Sequence, residues 1–270
     1  MFQPNIIRID DPNDPRISAF RDIKERDLVG RDGKFIAEGR VVLNVLLNTR
    51  LHEIDALLIL ENRLGGINDL LPLVPPRVPI FVVSQTVLDG IAGFHLHRGL
   101  LAVARKRAEL ELENFLSALP DDALLVVLSA ISNHDSLGGI FRNAAAFEAS
   151  GIILDELCCD PLYRKAIRVS VGAVLQVPFA KAASLTTVCA TMEHAGFQFG
   201  ALSPRGTAKI SDFPKQGKRA LVLGAEGSGL PHSFLNKVRS YTIPMSSAFD
   251  SLNVATASGI ALFHATPYSS

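Results

Sequence analysis

Cysteine is scarce in this chain: Cys158, Cys159 and Cys189 are the only three in 270 residues, too few and wrongly spaced for a disulfide framework. Neither a CxxC pair nor an HExxH run occurs among them and the seven histidines, so no metal site is expected. Net charge is missing as well. The 27 basic and 27 acidic residues cancel, which removes any long-range pull on nucleic acid and counts mildly against such a partner. Local clusters weaken that objection. Arg105-Lys106-Arg107, Arg164-Lys165 with Arg168, and Lys215 with Lys218-Arg219 suit phosphate, although a basic cluster is more often a solvated face. Long apolar runs are absent too, since Ala123 to Leu128 with its flanks falls far short of a bilayer span. Met1-Phe2-Gln3-Pro4-Asn5 and the acidic, Pro-rich residues that follow lack a basic-then-apolar leader. A cytoplasmic protein with no membrane partner is expected. No internal repeat or low-complexity segment is evident.

What remains is globular material, 48% apolar, long enough for one large or two modest domains with a buried core. The first hundred residues alternate patterns. Ile17 to Lys24 reads as helix, Phe35 to Glu38 as a short strand, Arg40 to Leu47 as helix, and Ile54 to Leu60 and Ile80 to Val83 as buried strands. Ser84 caps a helix through Leu88, and Leu100 to Ala104 is a last strand, completing a small α/β sandwich over residues 1–104. Pro72, Pro75, Pro76 and Pro79 bound one of its loops. Residues 105–120 read as a charged linker or linking helix.

Residues 121–270 carry a second α/β pattern. Strands are expected at Leu124 to Ser129, Gly151 to Asp155, Ala173 to Pro178, Phe197 to Leu202, Arg219 to Leu223 and Tyr241 to Pro244. Helices are expected at Gly139 to Ala149, Leu162 to Val171, Leu185 to His194, Pro231 to Val238 and Leu252 to Phe263. Such alternation implies a mostly parallel sheet, whose ligands bind beyond the carboxyl ends of its strands.

Three segments fall at those ends. Asn133-His134-Asp135-Ser136-Leu137-Gly138-Gly139-Ile140-Phe141-Arg142-Asn143 follows the first strand. Leu221-Val222-Leu223-Gly224-Ala225-Glu226-Gly227-Ser228-Gly229-Leu230 ends another, and Ile243-Pro244-Met245 leads through a turn to Ser251-Leu252-Asn253-Val254-Ala255 at a helix start. Taken singly each has a bland reading. Ser251 and Asn253 cap a helix, Arg142 is an exposed helix arginine paired with a carboxylate, Glu226 is a turn carboxylate, and Asn133 and His134 shape a turn. The glycine loop could pass for a dinucleotide loop, but it lacks GxGxxG spacing and no acidic residue ends the next strand, so an oxidoreductase is the weaker reading.

In this order and spacing the three segments resemble the signature motifs of the SpoU (TrmH-type) branch of the SPOUT methyltransferases, over about residues 120 to 266. The resemblance implies a C-terminal trefoil knot, a homodimer, and methyl transfer from S-adenosylmethionine to a ribose 2′-hydroxyl of structured rRNA or tRNA. It places the cofactor against Leu223, Gly224, Ala225, Glu226, Gly227, Ile243, Met245, Ser251, Leu252 and Asn253. Arg142 takes the catalytic part, with Ser251 and Asn253 shaping the site, and Glu226 is placed to orient a ribose or the partner subunit's Arg142. Because guanidinium is always charged, Arg142 is expected to clamp phosphate and lower the hydroxyl's pKa electrostatically rather than act as a base. The segment from Cys158 to Ala173 resembles the family stretch after the second strand, with Arg164, Lys165 and Arg168 on RNA. The Phe35 to Gly39 and His97 to Val103 segments resemble a ribosomal-protein-like substrate-binding domain. Two positions depart from the pattern: Ser136 stands where the family usually has Asn, and Glu148 where it usually has Gly. A non-catalytic RNA-binding protein that kept the fold is the competing reading.

Overall fold

The computed structural model describes residues 4–21, 33–92, 98–246 and 248–267. The strands, in chain order, are β1 (Ile6–Ile9), β2 (Lys34–Glu38), β3 (Ile54–Leu60), β4 (Ile80–Val83), β5 (Leu100–Arg105), β6 (Leu124–Leu128), β7 (Gly151–Asp155), β8 (Phe179–Ala182), β9 (Gln198–Leu202), β10 (Ala208–Lys209), β11 (Arg219–Leu223) and β12 (Ser240–Thr242). The helices are α1 (Arg40–Thr49), α2 (Gln85–Ala92), α3 (Leu112–Ser117), α4 (His134–Ala146), α5 (Arg164–Val169), α6 (Leu185–His194), α7 (His232–Leu235) and α8 (Val254–Ala265). The described residues form two compact units, one of Met1–Arg107 with Leu162–Gln176, the other of Ala108–Pro161 with Val177–Ser270. The stretch holding α5 thus packs with the first unit, whereas the sequence pattern places it in the second.

The first unit is built on a five-stranded sheet in the order β1-β4-β3-β5-β2. Strands β1, β4 and β3 run parallel, while β5 is antiparallel to β3 and β2. On one face Ile36, Leu58, Phe81 and Val103 pack with Phe20 and with Val87, Leu88 and Ile91 of α2. Ser84 Oγ accepts from Val87 N at 3.3 Å, starting that helix as its sequence suggests. The expected helix from Ile17 is a 3-10 turn over Pro15–Phe20, and its last three expected residues, like His97, lie outside the described residues.

The second unit carries seven parallel strands in the order β10-β12-β9-β11-β6-β7-β8. β6, β7 and β11 are buried at every position, as a parallel sheet covered on both faces requires. Alternate residues face opposite ways: Leu125, Val127 and Val222 pack with Phe115 of α3 and Val188 and Met192 of α6, while α4 and α8 cover the other face.

The strand expected at Ala173 to Pro178 is absent. Ala173–Leu175 forms a buried 3-10 turn after Gly172, whose φ is 88°, and the strand begins only at Phe179. Periodicity cannot separate a short buried turn from a short buried strand. Pro178 still serves the sheet through its carbonyl, which accepts from Ile152 N at 2.9 Å.

Candidate active site

The carboxyl ends of β6, β11, β9 and β12 supply the site, and each arrives there for a local reason. At the end of β6, Asn133 Oδ1 accepts from Asp135 N at 2.8 Å and Ser136 N at 3.4 Å, so α4 starts at His134, five residues ahead of its expected start. The turn before it is fixed by Asp155, which the sequence pattern does not single out. Its buried carboxylate accepts from Ser129 Oγ at 2.7 Å, Ala130 N at 2.9 Å and Leu157 N at 3.1 Å. Those bonds hold Ala130 at a φ of 56°, a left-handed conformation that costs energy in any residue but glycine. The Cys158 thiol packs 3.3 Å from the same carboxylate. Burial pushes its pKa up to about 12, with Asp155's charge adding to the shift, so it remains a protonated structural group rather than a nucleophile.

At the end of β11 the chain folds back on itself. Gly229 N donates to Ala225 O at 3.0 Å, and a Cβ on Gly224 would lie 2.5 Å from Leu230 N, so only glycine fits. Gly227 and Gly229 take φ values of 89° and 65°. Facing this loop, Asn253 caps α8, its Oδ1 accepting from Ala255 N at 2.9 Å and Thr256 N at 3.3 Å. The other end of the same amide donates to Glu226 Oε1 at 2.8 Å, and Ser136 Oγ donates to that oxygen at 2.5 Å. One residue from each of the three sequence segments therefore meets at a single carboxylate oxygen. Behind them α4 and α8 are bolted together, with Asn143 Nδ2 donating to Ala255 O at 2.6 Å and Ser258 Oγ at 2.9 Å.

A cavity of about 410 Å³ opens beside this junction, within the range of about 300–1,000 Å³ that small-molecule sites occupy. Leu223 to Gly227, Ile243, Met245 and Ser251 to Asn253 all line it, so every residue expected at the cofactor is on one wall or another. Leu202, Ser203 and Pro204 line it as well and were not anticipated. They come from the carboxyl end of β9 and the two residues after it, which its parallel pairing with β11 and β12 brings to the cavity.

The charge of this lining is informative: it holds one carboxylate, Glu226, and no lysine or arginine. A dinucleotide pyrophosphate would be desolvated there with no cation to meet it. A positively charged ligand with an apolar body suits the same walls, and Leu202, Ile243, Leu252 and Val254 provide the apolar surface.

Arg142 does not line the cavity. It lies about 9 Å along α4 from Ser136, at 1.5 Å per residue, exposed, and with no hydrogen bond or ion pair among the described residues. Of the cations expected on RNA, Lys165 and Arg168 are exposed on α5. Arg164 instead turns inward, its Nε 3.9 Å from the buried Glu38. Its position at the first residue of a short helix packed on β2 aims it at the sheet rather than at solvent.

A sequence profile of the SpoU rRNA Methylase family matches residues 123–263. The chain belongs to that family. Among its relatives in the SpoU family are uncharacterized tRNA/rRNA methyltransferases of Mycobacterium bovis and Mycobacterium tuberculosis. Each is 37% identical over 268 residues, spanning 95% of this chain and 90% of the relative. An AdoMet-bound rRNA methyltransferase from Sinorhizobium meliloti, at 25% identity, superposes with a TM-score of 0.77 over 97% of both chains. The SpoU methyltransferase AviRb of Streptomyces viridochromogenes, in complex with AdoMet, shares the fold at 22% identity, with a TM-score of 0.78 over 93% of this chain and 95% of its own. The SpoU profile covers all three segments that meet at Glu226.

Proposed function

We propose that this SpoU-family protein transfers a methyl group from S-adenosylmethionine to a ribose 2′-hydroxyl of structured RNA. The observation that carries the reading is the cavity of about 410 Å³, walled by Leu223 to Gly227 and Ser251 to Asn253 and free of cationic side chains. The bound cofactor would supply a methyl group on a cationic sulfonium. Glu226 favours that charge, the apolar walls take the uncharged parts, and the backbone of the two loops provides hydrogen bonds to the rest. Ile243, Met245 and Ser251 to Asn253 would wall this pocket as part of the trefoil knot that the family resemblance implies.

Methyl transfer between a sulfonium and a hydroxyl needs in-line approach more than strong acid or base, so positioning carries much of the acceleration. Arg142 is assigned to the phosphate next to the reacting ribose. Its charge there also stabilises the developing alkoxide. Because Arg142 stands away from the cavity of its own chain, the reading makes the active form a homodimer in which the partner's Arg142 reaches this pocket. Exposed apolar side chains support such an interface, with Phe249 75% and Phe263 57% exposed. Lys165 and Arg168 hold RNA at a distance from the chemistry.

The test is incubation with radiolabelled S-adenosylmethionine and undermodified total RNA, followed by alkali digestion. Label in alkali-resistant dinucleotides is expected for the wild type. Arg142→Ala should bind the cofactor normally and lose transfer by about 100-fold or more, an order of magnitude typical of removing one group that stabilises the transition state. Label confined to bases, or full activity in R142A, would overturn the assignment.

A further inference from the structure

S-adenosylmethionine carries three charges, and the cavity lining answers only those of one sign. Glu226 suits the sulfonium and the α-ammonium, but the lining has no lysine or arginine for the α-carboxylate. A carboxylate drawn between apolar walls without a partner is strongly disfavoured. It therefore belongs at the mouth of the cavity, where water and any cation standing there can reach it.

One cation does stand there. Ser203 and Pro204 line the cavity, and Arg205 follows directly, its Cα about 3.8 Å from that of Pro204. Ser203 to Gly206 is a tight turn closed by Gly206 N donating to Ser203 O at 3.0 Å, with Pro204 at the second position, where its fixed φ is favoured. The turn is bolted to β12. Ser203 N donates to Tyr241 O at 2.9 Å, Thr242 Oγ1 to Pro204 O at 3.1 Å, and Thr207 N to Ser240 Oγ at 3.2 Å. A Cβ on Gly206 would collide with the backbone of Tyr241. On this fixed base Arg205 is exposed, and its side chain makes no hydrogen bond or ion pair among the described residues. Pro204, Gly206 and backbone bonds make the turn, so nothing in it requires an arginine at 205.

We infer that Arg205 binds the α-carboxylate of S-adenosylmethionine at the mouth of the cavity, the guanidinium fork meeting both oxygens. The inference rests on the reading of this cavity as the cofactor site and names the residue that holds the amino-acid end. The cofactor's charges are then shared between two side chains, Glu226 for the cationic part and Arg205 for the anionic. The carboxylate is favoured over an RNA phosphate because the residues just before Arg205 line the cofactor cavity itself. Arg205 falls outside the three sequence segments, and only the pairing of β9 with β11 and β12 brings its turn to the cavity.

The experiment compares the full-length wild type with R205A by calorimetry, using S-adenosylmethionine and its decarboxylated form, and by anisotropy of a labelled RNA hairpin. R205A should bind S-adenosylmethionine about tenfold more weakly, between the effect of an exposed ion pair and that of a charge-assisted hydrogen bond taken out of water. It should bind the decarboxylated form as the wild type does, because that ligand lacks the group Arg205 holds, and its RNA affinity should not change. Wild-type affinity of R205A for S-adenosylmethionine would overturn the inference, while the wild type's own binding of that ligand keeps the methyltransferase reading. An equal loss for the two ligands would show that Arg205 shapes the cavity rather than holding the carboxylate, and overturns it too. Weaker RNA binding with cofactor affinity intact would assign Arg205 to phosphate and equally overturn it. A wild type that binds neither form of the cofactor overturns the inference and the reading of the cavity together.

Discussion

At position 253 one amide serves two structures, capping α8 through Oδ1 and reaching Glu226 through Nδ2. The sequence alone leaves open whether Asn253 only caps, and the geometry shows that the two roles are not alternatives. They can be separated by substitution. Asn253→Asp keeps an N-cap acceptor but sets a carboxylate against Glu226, whereas Asn253→Ala loses the cap, worth about 1 kcal/mol. The expected outcome is that N253D melts close to wild type yet binds S-adenosylmethionine at least tenfold more weakly, while N253A loses on both measurements. Wild-type cofactor affinity in N253D would show that the Glu226 bond does not shape the pocket. Ser136 is instructive in the same way. It stands where the family usually has Asn, and its hydroxyl is spent on Glu226, a partner 90 residues away that no local pattern could name.

Among the elements, α6 was the most legible helix. α6 spans the expected Leu185 to His194 because Ser184 Oγ accepts from Thr187 N at 3.1 Å, and buried strands such as β4 and β6 announce themselves as unbroken apolar runs. What stayed hidden depends on pairing across the sheet. The two-residue β10 exists only beside β12, and Ser203 reaches the cavity because its N–H bonds to Tyr241 O at 2.9 Å. The packing of α4 on α8 was equally invisible, and it makes a prediction against propensity. Gly139→Ala should favour a free helix by about 1 kcal/mol, but the new Cβ would lie 2.7 Å from Ala255 Cβ. G139A should therefore lower the thermal midpoint, and adding Ala255→Gly should recover most of the loss. A higher midpoint in G139A alone would mean that the two helices separate freely.

For the whole molecule, the proposed dimer has a signature that no single variant gives. R142A keeps its own pocket and N253D keeps its own arginine, so at an S-adenosylmethionine concentration near the wild-type Kd, where the N253D pocket stays mostly empty, each is expected to transfer little alone. Mixing them after subunit exchange should restore about a quarter of wild-type transfer, since random pairing makes half the dimers mixed and each mixed dimer holds one complete site of two. No recovery, with exchange verified by a tagged subunit, would place Arg142 in the site of its own chain. The division of the chain into units has an effect at the same scale. Because the first unit draws on Leu162–Gln176, a nascent chain leaving the ribosome cannot finish its amino-terminal half when that half has been synthesised. Residues up to 107 must wait, with the ground for α5 uncovered, until β6, α4 and β7 have emerged. The second unit then waits in turn for α8. Translation thus imposes a fixed sequence of completion on two halves that are interleaved in the gene, and a pause after residue 107 would expose an unfinished surface rather than release a finished domain.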